Sequence, residues 1–227
     1  MRVRVLVATG TVLASLLSPM AIHPASATPS AANAITKAKA KQLAKAALLK
    51  KTDLPGYKYE KSTTDPSDAQ YDAALYECVG VAKPTYLVEN PGNAFTKGPL
   101  EVDSESSVVD TGKHAKADYK ALNTAKGATC YQQVIKTVFE AQGVTVTSAS
   151  VKLIKATVVG TSKSFGFKYD LKGTVNGMPI RLQGFDVNVL VGQTEFALSS
   201  YRFDGKLPKL NQLTTLAAPI VARVKAV

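Results

Sequence analysis

Residues 164–203, SFGFKYDLKGTVNGMPIRLQGFDVNVLVGQTEFALSSYRF, decide the fold. Ser164 to Val175, Met178 to Val191 and Thr194 to Phe203 are rich in β-branched and aromatic residues. Such residues suit the pleated, half-buried surface of a strand. Asn176-Gly177 separates the first two runs. An Asn-Gly pair between strands is the signature of a type I′ hairpin, because both positions take positive φ. Gly192-Gln193 reads as a second tight turn. Val144 to Val159, just upstream, has the same composition. The four runs read as an antiparallel meander.

Upstream of the meander the period changes. Residues 36–51 (TKAKAKQLAKAALLKK) are strong helix formers, Thr36 is placed to cap them, and Leu43, Ala46 and Ala47 follow helical spacing. Pro55-Gly56 ends that helix. Asp65-Pro66 is a helix start, and Tyr71, Ala74, Leu75 and Cys78 form one apolar face behind it, with Gly80 placed as the stop. Residues 81–98 hold Pro84, Pro91, Gly92 and Gly98 and read as a long loop. Strand signal returns at Leu100 to Asp110. A helix follows from Ala115 to Ala125, broken by Gly127, and another runs from Thr129 to Gln142 with Cys130, Val134, Val138 and Ala141 on one face. Leu210 to Ala226 is a closing helix in which Pro219 predicts a kink or a restart. The fold class is therefore α+β, with helices packed on a mainly antiparallel sheet, a C-terminal β meander and a closing helix.

The N-terminus reads as a secretory signal peptide. Arg2 and Arg4 supply its charge, Val5 to Leu17 its apolar run, and Ala25-Ser26-Ala27 its cleavage site. Ala32-Asn33-Ala34 offers an alternative cut. The run is interrupted by Thr9, Gly10, Thr11, Ser15 and Ser18, too often for a stable membrane span. The expected organisation is signal peptide 1–27, disordered lead 28–35 and a single α+β domain 36–227. The expected location is secreted and extracellular. In that compartment Cys78 and Cys130, on core faces of separate helices, pair by default as a disulfide. The alternatives are a buried thiol pair or a redox couple, the latter favouring C-x-x-C spacing.

Charge narrows the partners. The chain carries 28 Lys and Arg against 17 Asp and Glu, a formal net charge of +11. Only Arg181, Arg202 and Arg223 remain beyond the signal peptide. Arginine is the residue of bidentate phosphate and guanine recognition, so a nucleic-acid reader is not expected. Lys37, Lys39, Lys41, Lys45, Lys50 and Lys51 mark the N-terminal helix as a candidate for an anionic membrane or wall polymer. The other reading is a solvated face.

Catalytic and metal-binding patterns are sparse. His114 is the only histidine beyond the signal peptide, and no G-x-S-x-G elbow, Walker loop, G-x-G-x-x-G or calcium loop occurs. One histidine and two paired cysteines cannot build a zinc site. No cofactor or metal is expected, and the protein is not expected to be an enzyme; a hydrolase using carboxylates alone is the remaining catalytic option. Glu101, Asp103 and Glu105 alternate, so they share one strand face. That face reads either as a site for a cation or basic partner, or as the solvated flank of an edge strand. Asp65, Asp68 and Asp72 read as acids at a helix N-terminus.

One resemblance is carried by short motifs. The alanine-rich helix runs into Ala47-Leu48-Leu49 and Asp53-Leu54-Pro55-Gly56, a later helix ends in Cys78-Val79-Gly80, and a Cys130 helix precedes the meander. This resembles secreted actinobacterial proteins, in particular the extracellular sensor domains of PknH-type serine/threonine kinases and related small envelope lipoproteins. The resemblance implies a helix-and-sheet domain with a ligand cleft. The chain departs from it in having one cysteine pair where the kinase sensor has two, and no lipid-anchoring cysteine. The reading is a non-enzymatic ligand-binding or sensor-like domain of the cell envelope, its partner an unknown small ligand, lipid or glycan. Phe165, Phe167, Tyr169 and Tyr201 of the meander are the candidate cleft residues, with ordinary packing as the other reading.

Overall fold

A computed structural model describes residues 35–63 and 67–227. The signal peptide, the lead to residue 34 and the Asp65-Pro66 helix start lie outside the described residues.

The elements run α1 (Lys37–Ala46), β1 (Lys58–Lys61), α2 (Asp68–Val79), β2 (Tyr86–Lys97), β3 (Leu100–Val109), α3 (Gly112–Leu122), α4 (Ala125–Ala141), β4 (Thr145–Ile154), β5 (Ser164–Val175), β6 (Met178–Val191), β7 (Thr194–Arg202) and α5 (Leu210–Lys225). All strands join one antiparallel sheet in the order β1-β2-β3-β7-β6-β5-β4. The meander is as expected, and Asn176 and Gly177 take φ of 51° and 77° at its first hairpin. β4 is shorter than expected. It ends at Ile154, and Ala156 and Val158 then drop into the core beside α5.

The reading of residues 81–98 as a loop is wrong, because β2 runs through it. Pro91 cannot donate to a ladder, but the β2–β3 register slips between Asn90 and Asn93, so proline falls in a bulge. Gly92 follows it at φ 89°, and a Cβ there would lie 1.5 Å from the Ser104 carbonyl oxygen. Gly92→Ala is therefore expected to cost about 2 kcal/mol or more, from strain at positive φ plus overpacking. Urea unfolding midpoints check this; an unchanged midpoint would show that the bulge relaxes freely.

Two further boundaries differ. The break between α3 and α4 is set by Thr124, whose side chain caps α4 by accepting from the Gly127 amide, and Gly127 lies in the first turn. α5 runs through Pro219 without restarting. Pro219 is exposed, so the backbone bond it removes is lost on the solvent side.

Helices cover both faces of the sheet. On one face α1 and α5 bury Leu43, Ala44, Ala47, Leu213, Ala217 and Ile220 against Phe95, Val102, Val187 and Leu198. On the other, α2 and α4 bury Leu75, Val134, Val138 and Phe139 against Phe167, Leu171 and Leu182. The C-terminal end of α1 is tied down by polar bonds that satisfy its orphan carbonyls. Ser106 Oγ donates to the Ala44 carbonyl at 2.7 Å, and Asn93 Nδ2 to the Leu49 carbonyl at 2.7 Å. Arg223 of α5 donates to the Leu48 carbonyl at 2.8 Å and pairs with Asp53 at 2.9 Å. The lysine helix is thus part of the folded core. Cys78 at the end of α2 and Cys130 in α4 form a disulfide with their Cα atoms 5.6 Å apart.

Candidate functional site

Alternation along β3 separates two chemistries. Ser104 and Ser106 point to α1, as their hydrogen bonds to Leu49 and Ala44 show. Glu101, Asp103, Glu105 and Ser107 therefore point to the opposite face, shared with α2, α3 and α4. β3 is not an edge strand. It lies between β2 and β7, so the acids face the inside of the molecule rather than shielding an edge. The strand register places Tyr201, Ser199, Ala197 and Glu195 of β7 directly beside Glu101, Asp103, Glu105 and Ser107. Beyond β7, Asp186 pairs with Ser199 and Asn188 with Ala197. α3 adds Asp118, which lies on its buried stripe with Ala115 and Leu122.

The acids fall into two neighbouring groups. In the first, Asp186 accepts from the Tyr131 hydroxyl of α4 and from Tyr169 and Ser199. Burial raises Asp186 from 3.8 to about 6 in spite of those bonds. Asp103 is held well above the carboxylate range by burial and by Glu101, and Glu101 is raised by burial and by Glu60. In the second group, Glu195 is held well above its ordinary value by burial and by the neighbouring Asp118 carboxyl.

The second group opens on a cavity of about 40 Å³ bordered by Tyr86, Glu105, Asp118, Tyr119, Phe165, Asn188 and Glu195. Asp118 Oδ1 and Asn188 Nδ2 are buried there without a hydrogen-bond partner, and the Glu195 carboxyl meets only the Asp118 carboxyl and the Ser107 hydroxyl. Buried polar atoms are almost always bonded, so a cluster of orphans around one cavity marks a place where something else belongs. The Tyr119 and Phe165 rings meet edge to face at 5.5 Å and form its apolar wall.

Of the aromatic residues proposed for a cleft, only Phe165 reaches this cavity. Phe167, Tyr169 and Tyr201 are buried at 0%, 5% and 4% exposure beneath the helices, and Phe167 stacks on Tyr131 at 5.0 Å. They are core residues, as a fully packed strand face requires. Asp118, Asp186, Asn188 and Glu195 escaped sequence reading. Their one signal was a polar residue at a strand or helix position whose periodic neighbours are apolar, as with Asp186 and Asn188 between Leu182 and Leu190.

The six lysines proposed for surface binding are all exposed. Lys41, Lys45, Lys50 and Lys51 come together with Lys61 around an open groove, where Lys51 Nζ lies 4.5 Å from the Tyr59 ring centre. Lys37 and Lys39 lie outside it. Asp72 is buried and pairs with Lys83 at 3.1 Å rather than serving only the helix dipole. His114 is exposed and bonded to Asp110 at 2.7 Å. Among the described residues, no group of three His, Cys, Asp or Glu is arranged to hold a metal ion, and no helix is long and apolar enough to cross a membrane.

No known family profile matches the chain, and no curated protein matches it. Among solved structures it is similar to the extracellular domain of PknH from Mycobacterium tuberculosis, at 12% identity over 86% of this chain and 99% of that one, with a TM-score of 0.45.

Proposed function

We propose that the protein is a secreted, non-enzymatic ligand-binding domain of the bacterial cell envelope, with its ligand seated between α3 and the β3–β7–β6 face. The observation that carries this reading is the cavity whose buried walls leave Asp118 Oδ1 and Asn188 Nδ2 unbonded beside the Glu195 carboxyl. The signal-like N-terminal sequence and the disulfide favour an oxidising, extracytoplasmic location. The second reading is an interaction protein that holds anionic wall polymer in the groove of Lys41, Lys45, Lys50, Lys51 and Lys61, favoured by the convergence of those side chains.

Amide chemical shifts distinguish the two. A panel of small amines, sugars and short-chain lipids is expected to perturb Asp118, Asn188, Glu195 and Ala197. Polyphosphate perturbing only the lysine groove, lost on replacing Lys41, Lys45, Lys50 and Lys51 with Gln, would favour the second reading. Charge removal is the informative change here, because deleting α1 would expose the core it covers.

A further inference from the structure

We infer that the cavity beneath α3 takes a primary ammonium group, carried on a small amine whose remainder leaves through the mouth. The inference rests on the ligand-binding reading above and specifies the class of ligand.

Charge points first in this direction. The protein is strongly basic, with a net charge of +11, yet among the described residues no lysine or arginine borders this cavity. Glu105, Asp118 and Glu195 do, contributed by three different elements. An anionic guest would meet their repulsion in a region of weak screening.

Hydrogen-bonding capacity gives the second argument. Asp118 is 5% exposed and Asn188 7%, and each places an unbonded polar atom at the cavity wall. An ammonium carries three donors and no acceptor. Asp118 Oδ1 and the Glu195 oxygens accept from it directly. Asn188 joins them by turning its amide, since the two ends of that group have nearly the same shape. The Glu195 carboxyl is held above its ordinary value by burial and by the neighbouring Asp118 carboxyl, and an ammonium between the two offsets that repulsion.

Size is the third argument. About 40 Å³ admits a charged head group or a few waters, well short of the roughly 300–1,000 Å³ of sites that enclose a whole drug-sized ligand. The Tyr119 and Phe165 rings give the alkyl segment an apolar wall. Organic cations are favoured over metal ions because no metal-holding group is present among the described residues.

The test uses the protein with its disulfide intact. Calorimetry and amide shifts are recorded with 1,5-diaminopentane, its doubly N-acetylated form, 1-butanol, and a tripeptide bearing one lysine side chain. The diamine is expected to bind saturably and to shift Asn188 and Ala197, and the acetylated form to bind at least tenfold more weakly. Asp118→Asn and Glu195→Gln are each expected to weaken the diamine at least tenfold while leaving the urea midpoint unchanged or higher. Binding of the tripeptide in place of the diamine would keep the ammonium chemistry and move its source to a peptide. Equal binding of 1-butanol with the same shifts, or diamine binding that survives both variants, would overturn the ammonium assignment and leave the cavity as a site. No perturbation of Asn188 or Ala197 by any probe would overturn the site itself.

Discussion

Removing the Cys78–Cys130 bridge is expected to cost about 4 kcal/mol of folding stability. The bridge closes a loop of 52 residues, and the chain-entropy argument gives that magnitude for a loop of this length. For a domain of this size the melting temperature should fall by about 10 °C. The loss should be felt first in α2. That helix has Leu75 and Val79 packed near α4, while the segment enclosed by the bridge includes β2, β3 and α3 and therefore Asp118. The comparison is the double variant Cys78→Ala/Cys130→Ala against the oxidised protein, in urea and by hydrogen exchange. Alanine is the correct replacement because Cys130 is 1% exposed, and serine would bury a hydroxyl. A difference below about 1 kcal/mol would mean that the unbridged chain is already as restricted as the bridged one.

The meander was legible because its information is local. Period-2 composition, an Asn-Gly turn and glycine punctuation act over a few residues, and β5 and β6 fall where the residues place them. β2 was hidden because its prolines and glycines resemble a loop until Pro91 and Gly92 are seen to form a bulge against β3. β1 was hidden because Lys58–Lys61 is a short, polar edge strand with little apolar signal. That omission propagated to the site. With residues 81–98 taken as a loop, β3 becomes an edge and its acids become a solvated flank. With β2 in place, the same alternation points three carboxylates inward. The partners of those acids come from β6, β7 and α3, and they meet β3 only through the pairing of Leu100–Val108 with Thr194–Arg202. No local pattern announces a contact across so much chain. The lysine helix shows the converse. Its exposed face was legible, whereas its docking depends on Ser106, Asn93 and Arg223, polar residues from distant elements.

The inward-facing acids make a second large effect unavoidable: the protein should be more stable near pH 5 than near pH 7.5. Asp186 is 2% exposed and its carboxyl is raised from 3.8 to about 6. The folded state therefore keeps a proton that the unfolded chain has already released. Stability tied to such a group is fully present below the unfolded value and is lost as pH rises through the folded one. The move from 3.8 to about 6 corresponds to about 3 kcal/mol over the whole span between those values, and about half of that loss falls between pH 5 and pH 7.5. Asp103, Glu101 and Glu195 are also raised and add loss in the same direction. Asp170 and Asp204 act oppositely, being lowered by Arg181 and Arg202. Their contribution is lost only as pH falls below the ordinary carboxylate range, toward about 2 for Asp204, so the two windows do not overlap. The groups facing Asp186 are Tyr131 from α4, Tyr169 from β5, Ser199 from β7 and Asp103 from β3. Of these, only Asp103 is a carboxyl, and burial raises it as well. Asp186→Asn keeps an oxygen to accept from Tyr131 and removes the proton. It should flatten the fall in stability between pH 5 and pH 7.5 by about 1.5 kcal/mol and leave the variant the more stable protein at pH 7.5. The measurement is urea unfolding across that range in high salt, which screens the lysine surface but not the buried carboxyl. A wild-type stability that is flat or rising with pH over this interval, with Asp186→Asn unchanged, would mean that water or a counter-ion reaches Asp186 and that the inward acids are not desolvated.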